Sequence, residues 1–153
     1  MENWELFEYE CCEFLNEKYK GNKIKFKLIG GHDSHANDII VIRQQKPNLF
    51  IECKMPEAQC GQFVLFVDNN LKKFIYSPRN KTPNDKYVQT IVSELDNIFD
   101  QCCIPSLKDL PIPKKIIYDW VKNYYKNVKG ASFIITKGTE GYIIIPIDNI
   151  DYY

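Results

Sequence analysis

At 153 residues the chain is long enough for one compact domain with a real core and short for two. Its composition, 44% hydrophobic and 26% charged, is that of an ordinary globular protein, and no apolar run approaches the roughly eighteen residues of a membrane span. Twenty basic residues balance 20 acidic ones, which excludes a histone-like binder but leaves room for local basic surface.

The start, MENWELFEYE, is acidic and lacks the basic-then-apolar layout of a signal peptide. A cytoplasmic location is therefore expected. The six cysteines are Cys11, Cys12, Cys53, Cys60, Cys102 and Cys103. They form no C-x-x-C framework, adjacent cysteines rarely bridge each other, and reduced, mostly buried thiols are expected. With only two histidines, both in one loop, a zinc site is not expected.

Trp4, Phe7, Cys11, Phe14 and Leu15 recur at helical spacing, so residues 3–19 read as an amphipathic helix stopped by Gly21-Asn22. Residues 23–29 alternate polar and apolar and read as a half-buried strand ending at Gly30-Gly31. A polar loop, His32 to Asn37, leads into the β-branched strand 38–43. After a turn at Gln44 to Pro47, residues 48–54 form a third strand, halted by Pro56.

Glu57 to about Tyr76 suits a helix, and 84–103 another, with Ile91, Leu95, Ile98 and Phe99 on one face. Pro113 opens a further helix through Lys126, burying Ile116, Ile117, Trp120 and Tyr124, and Gly130 caps it. Residues 132–136 and 142–147 form strands around the turn 137–141. The expected order is α-β-β-β-α-α-α-β-β, a mixed α/β domain in which three strands precede the first crossover helix.

Charge is uneven along this order. The first seventeen residues hold six Glu and no Lys or Arg, whereas later stretches gather Lys72, Lys73, Arg79, Lys81 and Lys86, then Lys108, Lys114, Lys115, Lys122, Lys126 and Lys129. Solvated helix faces explain such lysines as well as a binding surface does.

The informative stretch runs from Asp38 through Glu52-Cys53-Lys54. An acid opens one hydrophobic strand and an acid-x-base triplet closes the next. If the two strands are antiparallel neighbours, Asp38 comes close to Glu52. Residues two apart on a strand share a face, so Glu52 and Lys54 project together while Cys53 turns away. An E-x-K triplet alone is commonly an exposed ion pair worth ~1 kcal/mol or less. Here it follows Leu49-Phe50-Ile51 at the end of an interior strand, where uncompensated charge is costly.

The chemistry this suits is phosphodiester hydrolysis. A divalent cation orients water and neutralises transition-state charge. Two carboxylates fit Mg²⁺, a hard ion that keeps several waters, and a lysine can position the attacking water and stabilise developing negative charge.

On the same residues, over 1–66, the chain resembles the PD-(D/E)xK nuclease superfamily, the fold of type II restriction endonucleases and archaeal Holliday junction resolvases. The resemblance rests on the initial helix with Phe7-Glu8 and Phe14-Leu15, the Gly30-Gly31 loop, Asn37-Asp38 and Glu52-Cys53-Lys54. Asn37 stands where such families usually carry proline, a departure that leaves the aspartate in place.

The resemblance implies a restriction-endonuclease-like αβββα core within a single domain over 1–153. Its mixed central sheet would be flanked by helices, with extra helices and a C-terminal β-hairpin. It implies that Asp38 and Glu52 bind Mg²⁺, for which Mn²⁺ can substitute, with the Cys53 carbonyl as a further ligand and Lys54 as a catalytic residue. It also implies a first-helix glutamate. Glu8, which borders the apolar face near Leu15, matches best and Glu10 is the reserve; a solvated glutamate is the alternative for each.

A polar residue on the helix after E-x-K is expected beside the metal or phosphate, Gln62 or Gln59, with a water-facing side chain as the alternative. Gly61 would permit close approach to a neighbouring helix or to DNA. Ser34 and His35, with His32, are candidate DNA contacts, against the alternative of plain loop residues.

The expected function is an Mg²⁺-dependent DNA endonuclease of the restriction type, acting as a homodimer because cutting both strands suits two-fold symmetry. A structure-specific nuclease resembling Holliday junction resolvases is the first alternative, and a non-catalytic nucleic-acid-binding relative of the fold the second. Both a complete small enzyme and the catalytic part of a longer one remain open.

Overall fold

The structure, a computed structural model, describes residues 2–29, 36–102 and 110–150. In chain order it contains helix α1 (Asn3–Lys18) and strands β1 (Ile24–Leu28), β2 (Ile39–Arg43) and β3 (Leu49–Cys53). Next come strands β4 (Leu65–Asp68) and β5 (Lys73–Tyr76) and helices α2 (Lys86–Asn97), α3 (Phe99–Cys102) and α4 (Lys114–Asn123). A π-helical turn (Tyr124–Val128) leads to strands β6 (Phe133–Gly138) and β7 (Gly141–Pro146). Among the described residues no helix is long and apolar enough to cross a membrane.

The expected single domain is divided between two compact units. One comprises the chain up to Cys60 together with Tyr124–Ile150, and the other comprises Gly61–Asn123.

The first unit is built on a five-stranded sheet of order β1-β2-β3-β6-β7. Its pairs are antiparallel except β3 with β6, which run parallel with Glu52 opposite Ile134. The apolar stripe of α1, Phe7, Cys11, Cys12 and Leu15, packs on Phe26, Ile39, Val41, Ile51, Cys53 and Ile135. Each large side chain there contributes about 1.5–3 kcal/mol by leaving water.

Polar bonds fix how α1 lies on the sheet. The Asn16 side chain donates to the Phe26 carbonyl at 3.0 Å and accepts from the Phe26 N–H at 3.1 Å. The helix thus grips the backbone of β1 as well as packing on its side chains. The C-terminal hairpin completes the sheet, and the mixed sheet flanked by helix agrees with the fold expected from the sequence.

The second unit departs from that expectation in one place. Glu57 to Tyr76, expected as a helix, contains no helix and carries the antiparallel hairpin β4–β5, with Phe66 opposite Ile75. Local turn chemistry decides this. Asp68 Oδ1 accepts from the backbone N–H groups of Asn70 and Leu71, both at 3.0 Å, and Lys72 takes a positive φ of 50°. That Asx turn competes with helix, and the flanking β-branched and aromatic residues prefer strands. Asn80 ties the hairpin base, accepting from Val64 N–H at 2.7 Å and donating to its carbonyl at 2.8 Å.

Val88, Ile91, Leu95 and Trp120 form the core of this unit. Asp85 caps α2 by accepting from the N–H groups of Tyr87 and Val88. Its other oxygen accepts from Asn123 at the end of α4, 2.8 Å away. The expected helix over 84–103 is broken at Ile98 into α2 and α3. Gly61, expected to allow close approach, does so against a helix: a Cβ there would stand 2.8 Å from the Trp120 indole.

Cys11, Cys12 and Cys53 are buried free thiols, as expected, whereas Cys60 is an exposed one and Cys102 is half-buried.

Candidate active site

The β2–β3 ladder sets the site. Ile39 faces Ile51 and Val41 faces Leu49, so one further step of the same register brings Asp38 beside Glu52 at the open end of the ladder. The Cys53 N–H donates to Asp38 Oδ2 at 2.7 Å, which holds the aspartate against β3. Glu52 and Lys54 share a face, with Lys54 Nζ 3.0 Å from Glu52 Oε1. Cys53, between them, turns into the core and lies against Cys11, whose hydrogen bond, with burial, pushes the Cys53 thiol up in pKa. Alternation along one strand thus sends the charged pair one way and the thiol the other.

Glu52 is 2% exposed. A carboxylate so buried needs partners, and it has two cations on one oxygen. Besides Lys54, Lys129 Nζ stands 2.5 Å from Oε1, and its side chain is only 8% exposed. Glu52 Oε2 is buried and finds no hydrogen-bond partner among the described residues. Lys54 Nζ also lies 5.7 Å from the ring centre of buried Tyr125.

Sequence reasoning placed Lys129 only among many surface lysines. The π-helical turn after α4 brings it inward: Lys129 N–H donates to Tyr124 O at 2.9 Å, one residue wider than an α-helical bond, and Gly130 leaves the turn at φ 71°. Such widened turns recur at functional sites. The signal in the sequence was a lysine just before the glycine that ends a helix and just ahead of a strand, too common a pattern to single out.

From α1, Glu8 joins the cluster. It hydrogen-bonds Asp38, and burial, then the charges of Asp38 and Glu52, push its pKa up to about 7. Burial and then Glu52 raise Asp38 to about 6, against the lowering effects of the Cys53 amide, Lys129 and Lys54. Like charges gathered in partly dry surroundings resist ionising together. Burial pulls the Lys54 ammonium down, but Glu52 and Asp38 outweigh it and hold Lys54 above the ordinary lysine value. Glu10, the reserve, instead faces Lys137 at 3.8 Å.

Three of the remaining candidates cannot be placed and two are described by themselves. Ser34, His35 and His32 lie outside the described residues. Gln59 is exposed in the first unit. Gln62, expected on a helix, is an exposed residue ahead of β4 in the second unit, with no regular secondary structure, and its carbonyl accepts from Thr82.

Asp38, Glu52 and Glu8 fit a hard divalent ion by chemistry: oxygen donors, mutual repulsion that a cation would relieve, and a buried glutamate oxygen without a partner. Among the described residues no three His, Cys, Asp or Glu side chains are gathered tightly enough to hold an ion alone.

No protein-family model matches the chain, and neither does any curated protein. Among solved structures, HhaI endonuclease in complex with DNA is similar over 96% of this chain, at 38% sequence identity and a TM-score of 0.76. The fold is restriction-endonuclease-like. The chain spans 55% of the length of that endonuclease. Within this restriction-endonuclease-like fold, the acidic cluster and its two lysines occupy adjacent ends of β2 and β3, the second turn of α1 and the turn before β6.

Proposed function

We propose that the chain is a metal-dependent DNA endonuclease of the restriction type. The observation that carries the reading is the meeting of Asp38, Glu52 and Lys54 at one end of the β2–β3 ladder, with Glu52 buried between two lysines. The likeness to an endonuclease solved with DNA supports the same substrate class.

In this reading Asp38 and Glu52 hold Mg²⁺ or Mn²⁺, with the Cys53 carbonyl as a further ligand, and Glu8 faces the same ion. When bound, the ion supplies charge neutralisation at the scissile phosphate and orientation of the attacking water. Lys54 remains an ammonium at neutral pH, so it serves as fixed positive charge for the phosphate oxygens and not as a proton acceptor. Action as a homodimer in the cytoplasm belongs to the same proposal.

The test is cleavage of supercoiled plasmid with Mg²⁺ by wild type beside Asp38→Ala and Lys54→Ala. Wild-type cutting with loss in both variants is expected. Equal cutting by all three, or none by any, overturns the assignment.

A further inference from the structure

Lys129 is anchored at more points than a simple counter-ion requires. Its Nζ holds Glu52 Oε1 at 2.5 Å, its N–H closes the π-helical turn onto Tyr124 O, and its carbonyl accepts from Asn37 Nδ2 at 2.7 Å. Asn37 is itself buried, 7% exposed, and directly precedes Asp38 in the chain. A continuous path therefore runs from the residue beside Asp38, through the main chain and ammonium of Lys129, to Glu52.

A lysine this dry costs desolvation and side-chain entropy, and Lys54 already contacts the same carboxylate oxygen. Charge balance alone does not require the second lysine to be tied at its backbone as well. Nor does it account for a buried asparagine beside the aspartate, a position at which a proline would lack the amide that reaches Lys129.

We infer that Lys129 and Asn37 are positioning residues for the ion-binding carboxylates: Lys129 fixes Glu52 through Oε1, leaving Oε2 to the ion, and Asn37 fixes Lys129. The inference rests on the proposed metal-dependent nuclease and deepens it. Groups that orient metal-binding side chains commonly change affinity or activity 10–100-fold, at roughly that order of magnitude, when removed.

Two measurements test it. The first needs no metal: urea unfolding of Lys129→Met, Glu52→Gln and the double variant. Lys129→Met is expected to lower the midpoint markedly in the wild-type background and much less beside Glu52→Gln. Additive losses overturn the Lys129–Glu52 link.

The second is calorimetric Mn²⁺ binding by Lys129→Met, Lys129→Arg and Asn37→Ala. Loss of a nearby positive charge alone tightens cation binding, whereas loss of positioning weakens it. Weakening of about tenfold or more is expected for Lys129→Met and for Asn37→Ala, which leaves every charge in place, with partial recovery in Lys129→Arg. Binding as tight as wild type or tighter in both Lys129→Met and Asn37→Ala overturns the positioning role. If Lys129→Met fails to fold, Asn37→Ala decides. A wild-type protein that neither binds Mn²⁺ nor cuts DNA overturns the nuclease reading, while the unfolding cycle still decides the Lys129–Glu52 link.

Discussion

The Cys53 amide donates to the Asp38 carboxylate at 2.7 Å, so the aspartate that opens β2 is clamped by the strand that carries Glu52 and Lys54. One side chain thereby combines an acceptor that closes the ladder with the carboxylate proposed to hold the ion, and substitutions can separate the two.

Asp38→Asn keeps an acceptor for the Cys53 amide and removes a charge that burial and Glu52 oppose. It is expected to abolish cleavage while leaving the melting temperature of the metal-free protein equal to or above that of wild type. Asp38→Ala removes the acceptor as well and should lower stability by about 1–3 kcal/mol, the cost of leaving a buried donor unmet. Parallel thermal melts and plasmid assays check both; a stable Asp38→Ala and an unstable Asp38→Asn contradict the account.

Lys54→Met should reduce kcat by roughly 10²–10³, the usual loss when one preorganised charge stabiliser is removed. Binding of uncut duplex should change little. Lys54→Arg keeps the charge and should retain more activity than the methionine variant. Single-turnover rates at saturating enzyme separate these effects from DNA affinity.

The stability of the metal-free protein should fall as pH rises across the acidic range. Glu8 is raised from 4.5 to about 7 and Asp38 from 3.8 to about 6. Below the ordinary values both are protonated folded and unfolded, and the native state has its full advantage. As pH rises, the unfolded chain ionises first, the native state retains more protons, and the advantage is lost as pH passes the folded values. Melting temperatures measured from pH 4 to pH 8, about the window these values set, should show this decline superimposed on other titrations. The slope should flatten in Glu8→Gln. A decline unchanged in Glu8→Gln contradicts the clustering of Glu8 with Asp38.

Gly61→Ala tests the second unit separately. Its Cβ would meet the Trp120 ring at 2.8 Å, and the backbone there has φ 155°. Destabilisation of about 1–3 kcal/mol, followed by tryptophan fluorescence during urea unfolding, is expected. A neutral result would mean that the Trp120 ring moves aside freely.

The sheet of the first unit was legible because β1 alternates in period two, β2 is β-branched and β3 is an apolar run halted by Pro56, and because Asp38, Glu52 and Lys54 sit at strand ends where the pleat fixes their faces. Glu8 came from the family resemblance, which implies a first-helix glutamate ahead of Phe14-Leu15, and its place on the wheel of α1 agrees. Residues 57–76 were misread because scattered apolar residues there satisfy a helical period as well, while the deciding interaction, Asp68 accepting from Asn70 and Leu71, is a side-chain bond of the turn. Gln62 lies in the same stretch, just after Gly61, whose φ of 155° is not helical. Lys129 was hidden by a π-helical turn, since widening a helix by one residue redirects every side chain that follows and leaves no mark in hydrophobic periodicity. Asn37 looked like a tolerated replacement for proline, and only the contact with Lys129 across the sequence shows what its amide does.

The parallel pairing of β3 with β6 obliges the chain to make a crossover between them. Everything from Gly61 to Asn123 lies between the strand that ends in Glu52-Cys53-Lys54 and the turn that delivers Lys129. Among the described residues that segment adds no strand to the first sheet, so the ladder needs from it only that the chain return to Tyr124 in register. The residues proposed for chemistry thus stand at both borders of the crossover, on the strand that enters it and the turn that leaves it.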